Sequence, residues 1–476
     1  SRINIMVFRN MVYRIEVSGI IDHYNYSIDF TRGDDRIKSV YAENGHGKTN
    51  MLKVLKSLTS RNLREFKAIF SLPFKSVQIE TSKGRVRCFK VKDKICTISM
   101  IRTGGVLKDR GEGIKIGLED EILIYDVSLE EINQELEDKG EGEVKGESLF
   151  KAEFNDISWT IRDIVGNVVF LGSNRLQNMQ TIHDITPYYY NYKNNRKIRN
   201  FENPSYFQDI SGDVVEGVLR RLAIVLRNEA RRITLGEGQS RSRVYYKITK
   251  EIIDNNGKMD HPDSISSREI IMNKAADIKD GIDRIGSYGL LNPKEFIAIN
   301  DMINELVEDE VFDNLYRVLV PYLENLKSQI DAFSDVAYLI DVFVDAVNTM
   351  FSGVQIKFNE DNYGEFSIHS RYGPKRDEFD FEEPPNLETD VLSSGEKHLL
   401  VILSVVTICS LNSTSLLLID EPEISLGIPW QKSLTKYFRR ILKGQNLQLI
   451  FATHSPVILD NYRDIDIVFS ENFDLE

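Results

Sequence analysis

Ala42-Glu43-Asn44-Gly45-His46-Gly47-Lys48-Thr49 is the stretch on which the reading of this chain turns. An apolar run, Ile37 to Tyr41, leads into it. Asn50-Met51-Leu52 then opens a run that continues through Val54, Leu55 and Leu58 at helical spacing. In the order strand, glycine loop, helix, backbone N–H groups and the positive end of a helix converge on phosphate oxygens. Lys48 in such a loop reaches the β- and γ-phosphates of a nucleotide, and the Thr49 hydroxyl meets Mg2+. The usual first glycine is Ala42 here. A glycine-rich turn that carries Lys-Thr by chance is the competing reading, and three later motifs decide between the two.

The first, Leu392-Ser393-Ser394-Gly395-Glu396-Lys397, opens a helix that runs on through Leu399, Leu400, Ile402, Leu403 and Val406. A serine-glycine turn at a helix N-terminus is an anion site by geometry. The second, Leu416-Leu417-Leu418-Ile419-Asp420-Glu421, is a buried strand ending in two carboxylates. Asp420 suits the Mg2+ shell, and Glu421 suits polarisation of an attacking water. The third, Leu447 to Thr453, is another buried strand and ends in His454-Ser455-Pro456. A histidine there can bond a γ-phosphate or orient the water. Alone, each motif has a bland reading as a solvated or satisfied strand end. In this order, with the strand ends meeting at one edge as in open α/β sheets, coincidence is remote.

Around these motifs the chain is ordinary: 476 residues, 41% hydrophobic and 28% charged, enough for two or three domains. No apolar run approaches the roughly 18 residues of a membrane span, and the start, Ser1 to Asn4, has no signal-peptide core. Cys88, Cys96 and Cys409, scattered and odd in number, suit a reduced cytoplasm and make neither a disulfide framework nor a zinc site. A formal charge of −13 excludes nucleic-acid binding by the whole surface, so any such contact needs a local basic patch.

Alternating strands at 12–17 and 24–30 predict an antiparallel layer, to which Ser76–Glu80, Arg85–Val91 and Ile95–Ile101 add. Residues 119–147 are rich in Asp and Glu and read as a solvated connection. After a buried strand at Val168 to Gly172 come Ser173-Asn174-Arg175-Leu176-Gln177, and then, over roughly 205–350, helical spacing punctuated by Pro321 and a loop at Gly236 to Ser240. Within this arm Arg220, Arg221, Arg227, Arg231, Arg232, Arg241, Arg243, Lys247 and Lys250 make the best patch for DNA or an acidic protein. A solvated helix face is the plainer reading of the same residues. Strands return at Val354–Phe358 and Glu365–His369, before a polar acidic loop at 377–390.

With all four motifs in hand, the sequence resembles the ABC-type ATPase heads of the SMC, Rad50, RecF and OLD group. The resemblance covers about half of the chain. In it 42–49 is the Walker A motif, 392–397 the signature, 416–421 the Walker B and His454 the switch histidine. Asn44 and Asn50 fit the form of Walker A used by this group. Leu-Ser-Ser-Gly-Glu-Lys and Asp-Glu-Pro-Glu-Ile-Ser-Leu look closest to OLD-like ATPases of bacterial anti-phage systems, such as the ATPase components of PARIS and Septu. The segment after Walker B departs from the family: Gly427 and Ile428 stand where a His-Pro pair is usual. Gln177 is the candidate Q-loop glutamine, with an ordinary surface glutamine as the alternative.

The resemblance implies an α/β fold, an ABC/SMC-type P-loop ATPase head of mixed sheet plus antiparallel β layer, with an inserted helical arm. The expected domains are 1–178 and 353–476 as the two halves of the head and 179–352 as the arm. ATP and Mg2+ are the implied cofactors, held by residues 44–50 and Gln177, with Thr49 and Asp420 on the metal and Glu421 and His454 catalytic. Ser393, Ser394, Gly395 and Glu396 would act in trans on the nucleotide of a second copy, so a head-to-head homodimer with two sandwiched ATPs is expected, with slow or partner-gated hydrolysis. The chain ends at Glu476, soon after His454, so the Toprim nuclease of OLD enzymes is not expected in it. A cytoplasmic sensor ATPase that holds a separately encoded Toprim or HNH nuclease is the first expectation. The alternative is a RecF- or Rad50-like repair ATPase that clamps DNA through Arg220 to Lys250.

Overall fold

The computed structural model describes residues 10–31, 36–102, 121–137, 149–176, 189–191, 196–198, 214–233, 266–290, 294–305, 309–359, 365–372, 387–412 and 414–460. Gln177, Arg241, Arg243, Lys247 and Lys250 lie outside them, as does the acidic stretch beyond residue 137 up to 148. The chain divides into two compact units, 1–214 with 393–476, and 215–392.

The first unit carries two main sheets. One is antiparallel and six-stranded, built from β1 (Val12–Ile20), β2 (Tyr24–Asp29), β4 (Ser76–Thr81), β5 (Gly84–Lys92), β6 (Ile95–Arg102) and β7 (Glu121–Ser128) in the order β2-β1-β4-β5-β6-β7. Its alternating pattern buries one face, as the sequence predicts: Ile15, Val17, Ile79, Val86 and Ile98 point inward. The other is parallel and four-stranded, from β3 (Ile37–Tyr41), β8 (Asn167–Leu171), β13 (Thr414–Asp420) and β14 (Gln448–Thr453), in the order β3-β14-β13-β8. Every residue of β13 and β14 is buried, which explains their unbroken apolar runs. A hairpin of β9 (Tyr189–Asn191) and β10 (Arg196–Ile198) belongs to the same unit.

Helix α1 (Lys48–Leu58) and helix α4 (Leu149–Val165) fill the space against both sheets. Met51, Leu52 and Leu55 of α1 and Phe154, Ile157 and Ile161 of α4 share one core with Leu416, Leu418, Ile450 and Ala452 of the parallel sheet. Two shorter helices, α2 (Leu63–Lys67) and α3 (Leu129–Glu137), cap this side. The register of the parallel strands places Tyr41 beside Thr453, Ala452 beside Asp420 and Ile419 beside Leu171. All four carboxyl ends therefore meet along one edge. After them come α9 (Ser394–Leu411), α10 (Ile428–Leu442) and α11 (Pro456–Asp460), placed in chain order around β13 and β14.

Among the described residues one helix meets the length and apolarity of a membrane span, against the expectation that none would: α9, mean hydropathy 1.4 over 18 residues. It is 78% buried within the fold, as befits a core helix, and it starts on a polar run, Ser394 to His398, that breaks the apolar stretch.

The described part of the second unit is helical up to Met350: α5 over 214–233, α6 (Ser267–Gly286), α7 (Lys294–Glu305) and α8 (Asp309–Met350). Ile271, Ala275, Ile278 and Ile282 recur on one face of α6 and pack with Val320, Leu323 and Leu326 of α8. Pro321 does not end a helix as its placement in the sequence suggests; α8 runs through it for 42 residues. A proline there forfeits one backbone hydrogen bond, and the apolar stripe on either side holds the helix together. The hairpin β11 (Val354–Asn359) and β12 (Glu365–Ser370) groups with this unit, whereas the boundary expected at 352/353 assigned it to the head. The reason is local: the Asn348 side chain of α8 donates to Ile356 O at 3.0 Å and accepts from Ile356 N at 2.7 Å, and Phe343 packs on Phe366 at 5.1 Å.

Candidate nucleotide site at the carboxyl edge of the parallel sheet

The loop between β3 and α1 needs its glycines. Gly45 and Gly47 have φ of 88° and 79°, in the left-handed region, and a Cβ on Gly47 would lie 2.3 Å from Ile20 Cγ2. Gly47 is the N-cap of α1, so the open backbone N–H groups of the first turn face the loop. Lys48 is buried, and its ammonium donates to the carbonyls of Ala42 and Glu43 and to His454 Nδ1, the last at 3.0 Å. Burial pulls its pKa down from the ordinary lysine value, against the opposing pull of Glu421, Glu423 and Asp420. The His46 ring meets Tyr24 edge-on at 4.7 Å and bonds Glu43 O through Nδ1 at 2.9 Å, and its carbonyl accepts from the Tyr26 hydroxyl.

Thr49, one residue along, donates its hydroxyl to both oxygens of Asp420, at 3.0 and 2.9 Å. Residues 371 positions apart meet because β13 ends level with the loop. Asp420 is 2% exposed, and burial raises its pKa while the Thr49 hydrogen bond works against that. Among the described residues no three His, Cys, Asp or Glu cluster as a self-sufficient metal site. A cation here would take Thr49 and Asp420 and complete its shell from phosphate and water, the habit of Mg2+.

Glu421 sits just past the strand with φ 46°, an unfavourable setting for a side chain of its kind. Its N–H donates to Ala452 O at 2.8 Å, and its carboxylate lies 3.3 Å from His454 Nε2. Since His454 Nδ1 accepts from Lys48, the ring proton belongs on Nε2, facing Glu421. Lys48, His454 and Glu421 thus stand in one line of polar contacts across the strand ends, at 3.0 Å between the first two and 3.3 Å between the last two.

Two further residues were not singled out from the sequence. Glu423 Oε1 accepts from the Thr453 hydroxyl at 2.8 Å and from His454 N at 2.6 Å, tying the β13 turn to the end of β14. Its Oε2 is buried without a hydrogen-bond partner. Arg175, four residues beyond β8, is fully buried. It donates to the carbonyls of Gly172, Asp420, Glu421 and Pro422 and, through Nε, to His398 Nδ1 at 3.1 Å. Burial lowers its pKa to about 10, with Glu423, Asp420 and Glu421 pulling the other way. His398 in turn is lowered to about 4, by burial and by the neighbouring guanidinium. A lone arginine after a strand gives no spacing signal; only its depth marks it.

The predicted signature residues start α9. Ser393 and Glu396 form a reciprocal capping box, in which the Ser393 hydroxyl meets Glu396 Oε2 at 2.8 Å. Ser393 and Ser394 are exposed. Gly395 lies against the turn after β13, where a Cβ would approach Ser425 O to 2.5 Å. Gly427 caps α10 without a side-chain bond, and Ile428 is 59% exposed. Asn44 is exposed in the loop, and Asn50 lies in the first turn of α1, partly exposed.

The arginine patch on α5 is less available than its composition suggests. Arg221 is buried, Arg220 pairs with Glu216 at 3.1 Å, and Arg232 grips Glu229 through two nitrogens. Arg231 is exposed.

Residues 267–460 match the family described as "AAA domain, putative AbiEii toxin, Type IV TA system". No curated protein matches the chain. Among solved structures the chain is similar to the Smc head domain of Pyrococcus furiosus, with an extended coiled coil and bound to the C-terminal domain of ScpA. That match has 12% identity, covers 95% of this chain and 92% of that one, and has a TM-score of 0.35. A second is the Smc head domain with a coiled coil and joint from Pyrococcus yayanosii, at 14% identity, 96% and 94% coverage and a TM-score of 0.33. The strand order, the glycine loop and the paired Thr49 and Asp420 give the first unit an α/β fold with a phosphate-binding type of loop at the carboxyl edge of its parallel sheet, and the family match covers the part of the chain that carries β13 and β14.

Proposed function

We propose that the chain is the ATP-binding and hydrolysing switch of a bacterial anti-phage defence system, holding or activating a separately encoded nuclease in an ATP-dependent homo-oligomer. The observation that carries the ATPase part is the Thr49–Asp420 pair set beside the Lys48–His454–Glu421 line. Those groups fit a magnesium nucleotide: hard oxygens for the ion, an ammonium for the phosphates and a carboxylate for the water. Bound Mg2+ would neutralise charge on the β- and γ-phosphate oxygens. Lys48 binds phosphate, Thr49 and Asp420 hold the ion, Glu421 takes the proton of the attacking water, and His454 orients Glu421 from its Nε2 side.

Ser393 to Glu396 acts on the nucleotide of a second copy, a role that their exposed start of α9 suits. The exposed Ile428 on the neighbouring turn is a natural contact for that copy. A two-component role draws support from the matched family, whose description names a type IV toxin–antitoxin system. The DNA-clamp alternative draws less, because Arg220 and Arg232 already have carboxylate partners.

The test is ATP titration and turnover, followed by mass measurement of the complex expressed with its genomic neighbours. Lys48→Ala is expected to weaken ATP binding by about a hundredfold and to abolish phage protection. Glu421→Gln should bind ATP, stop turnover and accumulate the dimer. Full protection by Lys48→Ala, or no copurifying partner in ATP, sinks the defence reading. Salt-sensitive DNA binding that is lost on neutralising Arg231 and Arg232 would favour the clamp.

A further inference from the structure

We propose that Arg175 is the positioning residue that holds Glu421 in its working backbone geometry and ties that geometry to the signature helix. The inference rests on the ATPase reading and deepens it. Arg175 is fully buried, and its terminal nitrogens span the consecutive carbonyls of Asp420 and Glu421 at 3.1 and 2.9 Å. These are the residues assigned to the ion and to the water. Glu421 occupies the left-handed region, where a residue with a side chain persists only if its surroundings hold it. Three bonds do so: its N–H donates to Ala452 O, its carbonyl accepts from Arg175 at 2.9 Å, and the same carbonyl accepts from Ile424 N within the turn at 3.2 Å. The first belongs to the sheet edge. The second comes from a loop residue and is the adjustable one.

The remaining donor, Nε, reaches His398 on α9 at 3.1 Å. His398 follows the capping box of Ser393 and Glu396 by two residues, close to the end of the helix that would meet a second nucleotide. A displacement of that end therefore moves the acceptor of Arg175, and through the planar guanidinium it moves the Glu421 turn. Lysine cannot substitute, because one ammonium cannot span carbonyls and an imidazole in a fixed fork. Arg175 so links the signature of one head to the hydrolytic carboxylate of the same head, a route by which docking of a second copy can set the rate.

The experiment measures ATP turnover and ATP affinity separately, on full-length wild type, Arg175→Lys, His398→Leu and His398→Asn. Arg175→Lys is expected to keep its ATP affinity within about threefold, since Lys48, Thr49 and Asp420 keep their side chains, and to lose about a hundredfold in kcat, the cost of an ångström-scale misplacement. His398→Leu should lower kcat about tenfold. His398→Asn, whose Oδ1 stands where the imidazole has Nδ1, should recover most of it. Should Arg175→Lys not fold, the two His398 variants carry the test, because loss in Leu with rescue in Asn follows the acceptor and not the volume. Wild-type turnover with an equal kcat in Arg175→Lys, or equal kcat in the two His398 variants, overturns the inference and leaves the ATPase reading intact. A wild type that turns over no ATP overturns both.

Discussion

Removing the carboxylate of Glu423 should cost the first unit about 3 kcal/mol, by the following count. Its Oε1 takes two donors, the Thr453 hydroxyl at 2.8 Å and His454 N at 2.6 Å. A hydrogen bond to a charged acceptor contributes about 1.5–3 kcal/mol, and a donor left buried without a partner forfeits a comparable amount. Glu423 is also the leading counter-charge to the buried Arg175 guanidinium. Against this stands Oε2, buried without a hydrogen bond, whose desolvation Glu423→Ala would relieve by about 1–3 kcal/mol. Two bonds and a counter-charge, less one relieved oxygen, leave the net figure near 3 kcal/mol. Both tryptophans, Trp159 and Trp430, lie in the first unit, so their fluorescence follows its unfolding in urea. With m near 3 kcal/mol/M the loss moves the midpoint by about 1 M. Glu423→Gln, which keeps an acceptor oxygen, should fall between wild type and Glu423→Ala. A midpoint for Glu423→Ala within about 0.2 M of wild type would refute the claim that this carboxylate binds the ends of β13 and β14 together.

Three other outcomes follow from the same geometry. Gly395→Ala places a Cβ 2.5 Å from Ser425 O, so it should cost about 1–3 kcal/mol through overpacking and slow turnover while ATP affinity holds; unchanged turnover would count against the close packing of these turns. His398, lowered from 6.5 to about 4, binds its proton more readily in the unfolded chain. Its contribution is therefore complete above pH 6.5 and is lost as pH falls towards 4, about 3 kcal/mol in all, and urea midpoints at pH 7 and 4.5 should diverge less in His398→Asn than in wild type. Ile428→Glu puts charge on a 59% exposed apolar position, so sedimentation of the Glu421→Gln protein in ATP should show less dimer with it, and an equal dimer fraction would remove Ile428 from the contact.

Much of the head is legible in the linear chain because its parts are built from local rules. β13 and β14 are wholly buried, so they read as unbroken apolar runs. The antiparallel strands have one packed face, so they alternate. The loop glycines are required by positive φ, and such glycines announce themselves. Where the structure differs, side-chain partners that no periodicity shows are responsible. Pro321 looks like a stop, yet packing along α8 overrides it. The hairpin β11–β12 looks like a return to the head, yet Asn348 binds it to the long helix. The arginines of α5 look like a free patch, and the side chains of Glu216 and Glu229, one turn away, occupy two of them.

By itself, then, the sequence determined that a phosphate loop, a carboxylate pair and a histidine each close a strand of an α/β head. Each is written in a short run whose burial pattern and turn chemistry are its own. Only the tertiary structure decided what stands behind them. Thr49 reaches Asp420 across 371 positions, Glu423 clasps the turn that carries His454, and Arg175 spans the carbonyls of Asp420 and Glu421 to reach His398 on another helix. None of these has a periodicity to betray it, because a buried polar side chain is defined by the partners that compensate its desolvation, and those partners come together only when the sheet edge is assembled.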